Sequence, residues 1–95
     1  MKKYLLKLFI TGKTSRSEAA ISNLKQICSE NLNEEYDLLV IDVLDNPQLA
    51  DDEKVLATPT LIKELPPPLR RIIGDLSEKE KVIKGLELKK INEQE

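Results

Sequence analysis

The fold of this chain is decided by the stretch Ala57-Thr58-Pro59-Thr60-Leu61 and by the stretch that soon follows it, Leu65-Pro66-Pro67-Pro68-Leu69-Arg70-Arg71-Ile72-Ile73-Gly74-Asp75-Leu76. Proline fixes φ and lacks a backbone donor, so it is tolerated at the first residue or at an edge of a strand but not at its centre. Pro59 therefore predicts the start of a short strand. The three prolines at 66–68 predict an extended or turning connection. Such a run either fixes the conformation of the chain or allows it two alternative conformations.

The beginning of the chain has the pattern of a strand followed by a helix. Tyr4 to Ile10 is a β-rich run that ends at Thr11-Gly12-Lys13-Thr14. Ser15 and Glu18 have the spacing of a capping box, which predicts that a helix starts there. Apolar residues then recur at helical spacing and predict one buried helix face that ends before Asn33: Ala20, Leu24, Ile27, Cys28 and Leu32.

A second strand is predicted from Asp37 to Val43. Its centre, Leu38-Leu39-Val40-Ile41, is apolar enough to be covered on both faces, as in a parallel sheet. Strand, helix and strand with short connections predict a right-handed β-α-β unit.

The middle of the chain predicts one short helix and two short strands. Asn46 as N-cap and Pro47 at the first helical position predict a helix that continues to about Val55. The strands are predicted over 61–64 and 71–73, on either side of the triple proline.

A last helix is predicted near the end of the chain. Ser77 and Glu80 repeat the capping-box spacing, and the helix is expected to continue through Leu88. Gly85 lies in its predicted interior, where a glycine costs about 0.5 to 1 kcal/mol relative to alanine. We therefore expect docking, more than intrinsic propensity, to stabilise this helix.

Three ordered segments resemble the KaiB family of circadian-clock proteins: Ile41-Asp42-Val43-Leu44-Asp45-Asn46-Pro47-Gln48-Leu49-Ala50, Leu56-Ala57-Thr58-Pro59-Thr60-Leu61, and Leu65 through Ser77. The resemblance covers about residues 3 to 88. It implies one thioredoxin-like α/β domain over 1–95, in which β-α-β is followed by α-β-β-α. It also implies a cis Thr58–Pro59 peptide, facing the position where redox-active members carry Cys-x-x-Cys.

The resemblance implies a regulatory protein and not an enzyme, with no catalytic residue, no cofactor and no metal. KaiB proteins bind the ATPase ring of KaiC in their thioredoxin-like state, and the assembled ring captures KaiA or displaces the related sensor domain of a histidine kinase. The resemblance also implies a homo-oligomer, a dimer or a tetramer. The chemistry then resides in the partner.

The resemblance further implies a fold switch. KaiB family members have a tetrameric ground state whose second half, from about Ala50 onward here, is folded differently. Residues that make such a change plausible are prolines with slowly isomerising peptide bonds and glycines with low conformational cost: Pro59, Pro66, Pro67, Pro68, Gly74 and Gly85. If the thioredoxin-like state needs the last helix, Gly85→Ala should favour that state.

Four basic residues match basic positions of the family pattern and flank the switching segment: Lys54, Lys63, Arg70 and Arg71. The resemblance implies that they contact the partner. Guanidinium groups at the end of a strand can also pair with acids of the same chain, so this alternative stays open.

Other functions in the same family or fold also stay open. Asp37 and Leu39 stand where clock-type members tend to carry a small residue and a lysine, in the region that contacts partners. The chain also ends at Asn92-Glu93-Gln94-Glu95, without the longer acidic tail of many clock members. The alternatives are a divergent KaiB homologue that acts in stress adaptation, and a redox-inactive thioredoxin-like adaptor without a clock.

Composition limits the other classes of function. The 95 residues carry 15 Lys and Arg against 17 Asp and Glu, and no strongly one-signed half, which disfavours nucleic-acid and anionic-lipid binding. The longest apolar run has four residues and the N-terminus lacks a signal-peptide core, so we expect a cytoplasmic protein outside the membrane. One cysteine and no histidine leave no internal disulfide and no imidazole base or zinc site.

Two motifs suggest chemistry and are rejected on their residues. Thr11-Gly12-Lys13-Thr14 ends like a Walker A loop, but Lys7 stands at the position of the first glycine of that motif. The same segment has no cysteine, so disulfide exchange lacks its thiols. Cys28 is the remaining thiol, and its place on the apolar helix face predicts a buried, inert group.

Overall fold

The computed structural model describes residues 4–32 and 35–88. In chain order the elements are β1 (Tyr4–Ile10), α1 (Ser15–Asn31), β2 (Tyr36–Asp42), α2 (Pro47–Asp52), β3 (Thr60–Leu65), β4 (Arg70–Ile73) and α3 (Lys79–Gly85). The four strands form one sheet in the order β2-β1-β3-β4, in which β1 and β2 are parallel and the other pairs are antiparallel. The predicted order of β-α-β followed by α-β-β-α is confirmed.

Strand β1 lies in the interior of the sheet and supplies side chains to a core on each face. Successive side chains of a strand point to opposite faces, so Leu6 and Leu8 pack on one side and Phe9 on the other. The larger core includes the predicted stripe of α1 and residues of α3. The smaller core, against α2, has three buried residues among those described: Phe9, Ala50 and Ile62.

The start of α1 differs by one residue from the capping box read in the sequence. The N-cap is Thr14, whose Oγ1 accepts a hydrogen bond from the Ser17 backbone N–H at 3.1 Å. Ser15 is already the first helical residue. A threonine and a serine in succession both suit the N-cap position, and the extended backbone of Thr14 decides between them.

The prediction that both faces of β2 are covered is wrong, because Leu39 and Val40, which point to opposite faces of the sheet, are 48% and 43% exposed. Among the described strands β2 pairs with β1 alone, so it lies at an edge of the sheet. A continuous apolar run is typical of a central parallel strand, but it does not reveal how many neighbours the strand has. The strand is also displaced by one residue from its predicted range.

The short elements of the second half are present with altered bounds. Helix α2 ends at Asp52 rather than near Val55, and no side-chain hydrogen bond caps its N-terminus. The Asn46 side-chain amide donates to the Asp42 carbonyl. Strand β3 begins directly after Pro59 and extends one residue beyond the predicted range 61–64 at each end. Strand β4 begins one residue earlier than predicted.

Helix α3 is shorter than predicted and lacks the capping box. It begins at Lys79, its N-cap Glu78 makes no side-chain capping bond, and the Ser77 N–H donates to the Asp75 carboxylate. The helix ends at Gly85, so this glycine is the last helical residue and not an interior one.

Some predictions concern residues outside the described ranges. The predicted helix limit at Asn33, the first three residues and the tail from 89 onward belong to this group. Within 4–32 and 35–88, no helix has the length and hydrophobicity needed to cross a membrane.

The α1 cap gives a direct test of the local structure. Thr14→Ala removes the oxygen that accepts from Ser17 and should lower the free energy of unfolding by about 1 kcal/mol. Ser15→Ala, at the neighbouring helical position, should change it by less than about 0.5 kcal/mol. Urea unfolding followed by circular dichroism measures both, and the opposite ranking would place the cap at Ser15.

Candidate protein interaction site

The turn between β1 and α1 is tied to two neighbouring segments. Thr11 Oγ1 lies 2.7 Å from Thr58 Oγ1, and the Asp42 carboxylate accepts from the backbone N–H of Gly12 at 3.1 Å. Gly12 has a φ of +66°, which favours glycine at this turn. A phosphate cradle needs free backbone N–H groups, so the bond from Gly12 to Asp42 agrees with the interpretation of this segment as a turn.

An open groove of about 220 Å³ lies beside this turn. Its lining is mostly small and apolar: Thr11, Val43, Ala50, Val55, Leu56, Ala57 and Thr58. Leu56 is 94% exposed and Leu44, which follows β2, is 67% exposed. Apolar side chains with this exposure next to a groove are typical of surfaces that contact other proteins.

The four predicted partner-binding residues lie around β3 and β4 but divide between the two faces of the sheet. Lys63 and Arg70 are cross-strand partners, and Arg70 approaches Glu87 just beyond α3. Arg71 points to the other face, where it reaches the end of α2 beside Lys54. The structure therefore brings them together as two pairs and not as one cluster.

The first pair is largely engaged within the chain. Arg70 Nη2 lies 2.9 Å from the Glu87 carboxylate, with both side chains close to half exposed. Lys63 is 1% exposed, and burial lowers the pKa of its ammonium group, against the opposing effect of Glu87. Lys63 is therefore poorly placed to meet a partner in this conformation.

In the second pair, Arg71 and Lys54, the arginine side chain bonds to backbone carbonyls. Arg71 donates to the carbonyl of Glu53 at 2.9 Å and to the carbonyl of Lys54 at 3.2 Å. Helix ends leave carbonyls without intrahelical partners, and a cation there also interacts favourably with the helix dipole. Arg71 thus caps α2 from the neighbouring strand.

A charged triad on the same face of the sheet as Arg71 was not predicted from the sequence. Lys7 lies 2.9 Å from Glu64 and 3.2 Å from Glu53, so it bridges β1, β3 and the end of α2. The bond to Glu64 is the largest cause of the raised pKa of Lys7. A lone lysine within an apolar strand indicates that acidic side chains pair with it, but the local sequence does not show which acidic residues these are.

Two residues that the resemblance singled out as expected departures from clock-type members lie on the edge strand β2. Asp37 and Leu39 are both exposed there. An edge strand presents unpaired backbone groups, so these side chains flank a surface on which another chain can pair.

The predicted fold-switch residues have defined places. The peptides before Pro59, Pro66 and Pro68 are cis, Pro67 lies between the last two, and Pro59 is buried at the start of β3. Gly85, at the end of α3, lies so close to Ile72 that an added Cβ would be 2.8 Å from Ile72 Cδ1. Close packing against Ile72 is therefore a reason for glycine at this position.

Cys28 is buried in the α1 face of the larger core. Burial raises the pKa of its thiol from 9.0 to about 12. Near neutral pH the reactive thiolate is therefore scarce.

The contact between Gly85 and Ile72 predicts a coupled pair of mutations. Gly85→Ala gains helix propensity but must displace Ile72 Cδ1, so its stabilisation should stay well below about 1 kcal/mol. Ile72→Val removes that methyl group, and in the Ile72→Val background the alanine should be more favourable by about 0.5 kcal/mol. A double-mutant cycle by urea unfolding measures this coupling, and additivity would contradict the contact.

From the burial and raised pKa of Cys28 we expect slow alkylation of its thiol in the native protein. A pKa near 12 lowers the thiolate fraction about a thousandfold relative to the usual value, so Cys28 should react with iodoacetamide far more slowly than in urea. Mass spectrometry over time measures both rates. Equal rates would show that the thiol is accessible and reopen a redox role.

Comparison with known proteins identifies the family. The family model described as the KaiB domain matches residues 7–88. Circadian clock protein KaiB3 of Synechocystis sp. is 53% identical over 88 residues, which are 93% of this chain and 86% of the relative. Circadian clock oscillator protein KaiB of Microcystis aeruginosa is 58% identical over 87 residues, or 92% and 84%.

Solved structures show the same fold. The N-terminal domain of Synechococcus elongatus SasA has a TM-score of 0.74 and 27% identity, covering 90% of this chain and 85% of that domain. Mitochondrial thioredoxin 3 of Saccharomyces cerevisiae has a TM-score of 0.71 and 19% identity, covering 92% and 79%. The expected thioredoxin-like α/β fold is therefore confirmed, and the chain belongs to the KaiB family.

Proposed function

We propose that this protein is a non-catalytic regulator that binds the ATPase ring of a KaiC-type protein, in circadian timing or a related regulatory system. The observation that carries the proposal is identity of 53% and 58%, over more than nine-tenths of the chain, to proteins named as circadian clock proteins. Residues 1–95 act in this proposal as one KaiB domain. The protein acts in the cytoplasm, without a cofactor.

The site supports binding rather than catalysis. The segment that follows β1, where thioredoxin-like redox proteins carry their thiols, is Thr11-Gly12-Lys13-Thr14, and the single cysteine is buried elsewhere. Beside this segment lies a groove lined by exposed Leu56, and exposed Leu44 follows the lining residue Val43. A surface of this kind gains binding energy by removing apolar area from water.

The thioredoxin-like conformation is the binding-competent state in this proposal, and a second state differs from about Ala50 onward. The weak stabilisation of α2 supports the idea. That helix has six residues, no side-chain cap at its N-terminus and only a small core beneath it. If the competent state is a minority of the population, apparent affinity falls by that fraction and association is slow.

The proposal also includes further partners and an oligomeric state. We expect a histidine-kinase sensor domain of the same fold to compete for the ring, and the free protein to form a dimer or tetramer. Capture of KaiA is a separate question, because the departures at Asp37 and Leu39 lie on exposed β2. Adding KaiA to the assembled complex in size-exclusion chromatography answers it.

Association kinetics test the proposal. Fluorescence anisotropy of the labelled protein is followed with a purified KaiC-type hexamer and ATP at increasing hexamer concentration. We expect a slow phase whose rate stops rising at high hexamer concentration, because a conformational step then limits binding. Lys25→Glu, on the exposed side of α1, is the charge-reversal control for Lys54→Glu.

Each other outcome contradicts a defined part of the proposal. If the association rate rises linearly with hexamer concentration throughout, the protein binds the ring but no conformational step limits binding. Absence of binding at every concentration would remove the ring as partner and favour a stress-related or adaptor role. Equal loss in the Lys25→Glu and Lys54→Glu variants would show that binding follows net charge and not the site.

A further inference from the structure

The four basic residues are not equivalent, because three of them are already committed within the chain. Arg70 pairs with Glu87, Arg71 bonds to two carbonyls, and Lys63 is buried. Lys54 differs from them. It is exposed, and its ammonium group has no hydrogen bond or ion pair with any residue in 4–32 or 35–88.

The backbone of Lys54 is held on both sides, although its ammonium group has no hydrogen bond or ion pair within the described ranges. Its φ is +58°, and its N–H donates to the Asp51 carbonyl at 3.1 Å while the Val55 N–H donates to the Ala50 carbonyl at 2.9 Å. These bonds form a Schellman motif with Lys54 at the left-handed position. The Lys54 carbonyl accepts from Arg71.

The left-handed conformation costs a non-glycine residue roughly 1–2 kcal/mol, so it persists only where surrounding contacts hold it. Arg71 supplies such a contact at the carbonyls of Glu53 and Lys54. Lys7 holds the same segment a second time through the Glu53 carboxylate. Both contacts come from strands of the sheet, so they hold the segment directly after α2 in place although the helix itself is short.

We propose that Lys54 is the contact residue of the four for a carboxylate of the partner, and that Arg71 is a positioning residue that acts through the Lys54 backbone. This inference rests on the proposed ring binding. Val55 and Leu56 follow Lys54 along the chain and line the groove. The partner segment therefore carries an acidic side chain next to an apolar one.

A double-mutant cycle on the affinity for the hexamer tests the proposal. Arg71→Lys keeps the charge but cannot bond to both carbonyls with a rigid planar group, so it should weaken binding at least about threefold. In the Lys54→Ala background the same change should alter affinity by less than about twofold. Arg70→Lys, on the opposite face, is the matched control and should have little effect in either background.

An additive cycle would overturn the positioning role, because Arg71 would then contact the partner directly. A full effect of Arg71→Lys with no effect of Lys54→Ala would overturn the role of Lys54. Thermal unfolding of each variant establishes that the comparison concerns folded protein.

Hydrogen exchange of the free protein supplies a readout that does not need the partner. Arg71→Lys should accelerate exchange at the Lys54 and Val55 amides at least about tenfold over other amides of the sheet, whereas Arg70→Lys should not. Unchanged exchange would overturn the positioning role whatever the affinities are. If exchange is faster in the Arg71→Lys variant but the protein never binds the hexamer, the positioning role of Arg71 is upheld. The proposed function and the contact role of Lys54 are then rejected.

Discussion

Strand β1 is the constraint on which the rest of the structure depends. It is the only described strand with a parallel neighbour on one side and an antiparallel neighbour on the other. Its alternate residues build both cores, so β2 and β3 pair with it directly and the helices pack on the two faces to which it contributes. The one charged residue within it, Lys7, could not face a fully apolar environment without partners, and Glu53 and Glu64 provide them.

The two cores are unequal, so the two faces of the sheet are held by different kinds of contact. Among the described residues, 14 lie in the core under α1 and α3 but only three in the core under α2. At roughly 1.5–3 kcal/mol for each large apolar side chain, the first core dominates the stability. Helix α2 therefore relies on polar contacts with Lys7 and Arg71, and such contacts are more easily exchanged than a packed core.

The sequence predicted the order of elements because each carries a local signal. Apolar periodicity located α1, β-rich runs located β1 and β2, and Pro59 located the start of β3. Prediction failed where the answer depends on the tertiary neighbours of a residue. The edge position of β2, the division of the basic residues between two faces and the triad around Lys7 all follow from strand order, which no local pattern contains. The capping boxes failed for a different reason, since adjacent residues compete for a cap and the backbone path selects one.

A thioredoxin-like fold without thiols at its usual site retains the geometry of that site and loses its chemistry. The turn after β1 and the loop before β3 are joined by the contact of Thr11 with Thr58, and the segment after α2 lines the same groove. In a redox protein this arrangement would orient a substrate disulfide. Here it leaves a groove, exposed Leu44 and Leu56, and a lysine whose backbone is fixed while its charge has no partner among the described residues. The fixed backbone sets where the lysine leaves the surface, so only its side chain has to be ordered when a partner binds, and the same scaffold is suited to recognition.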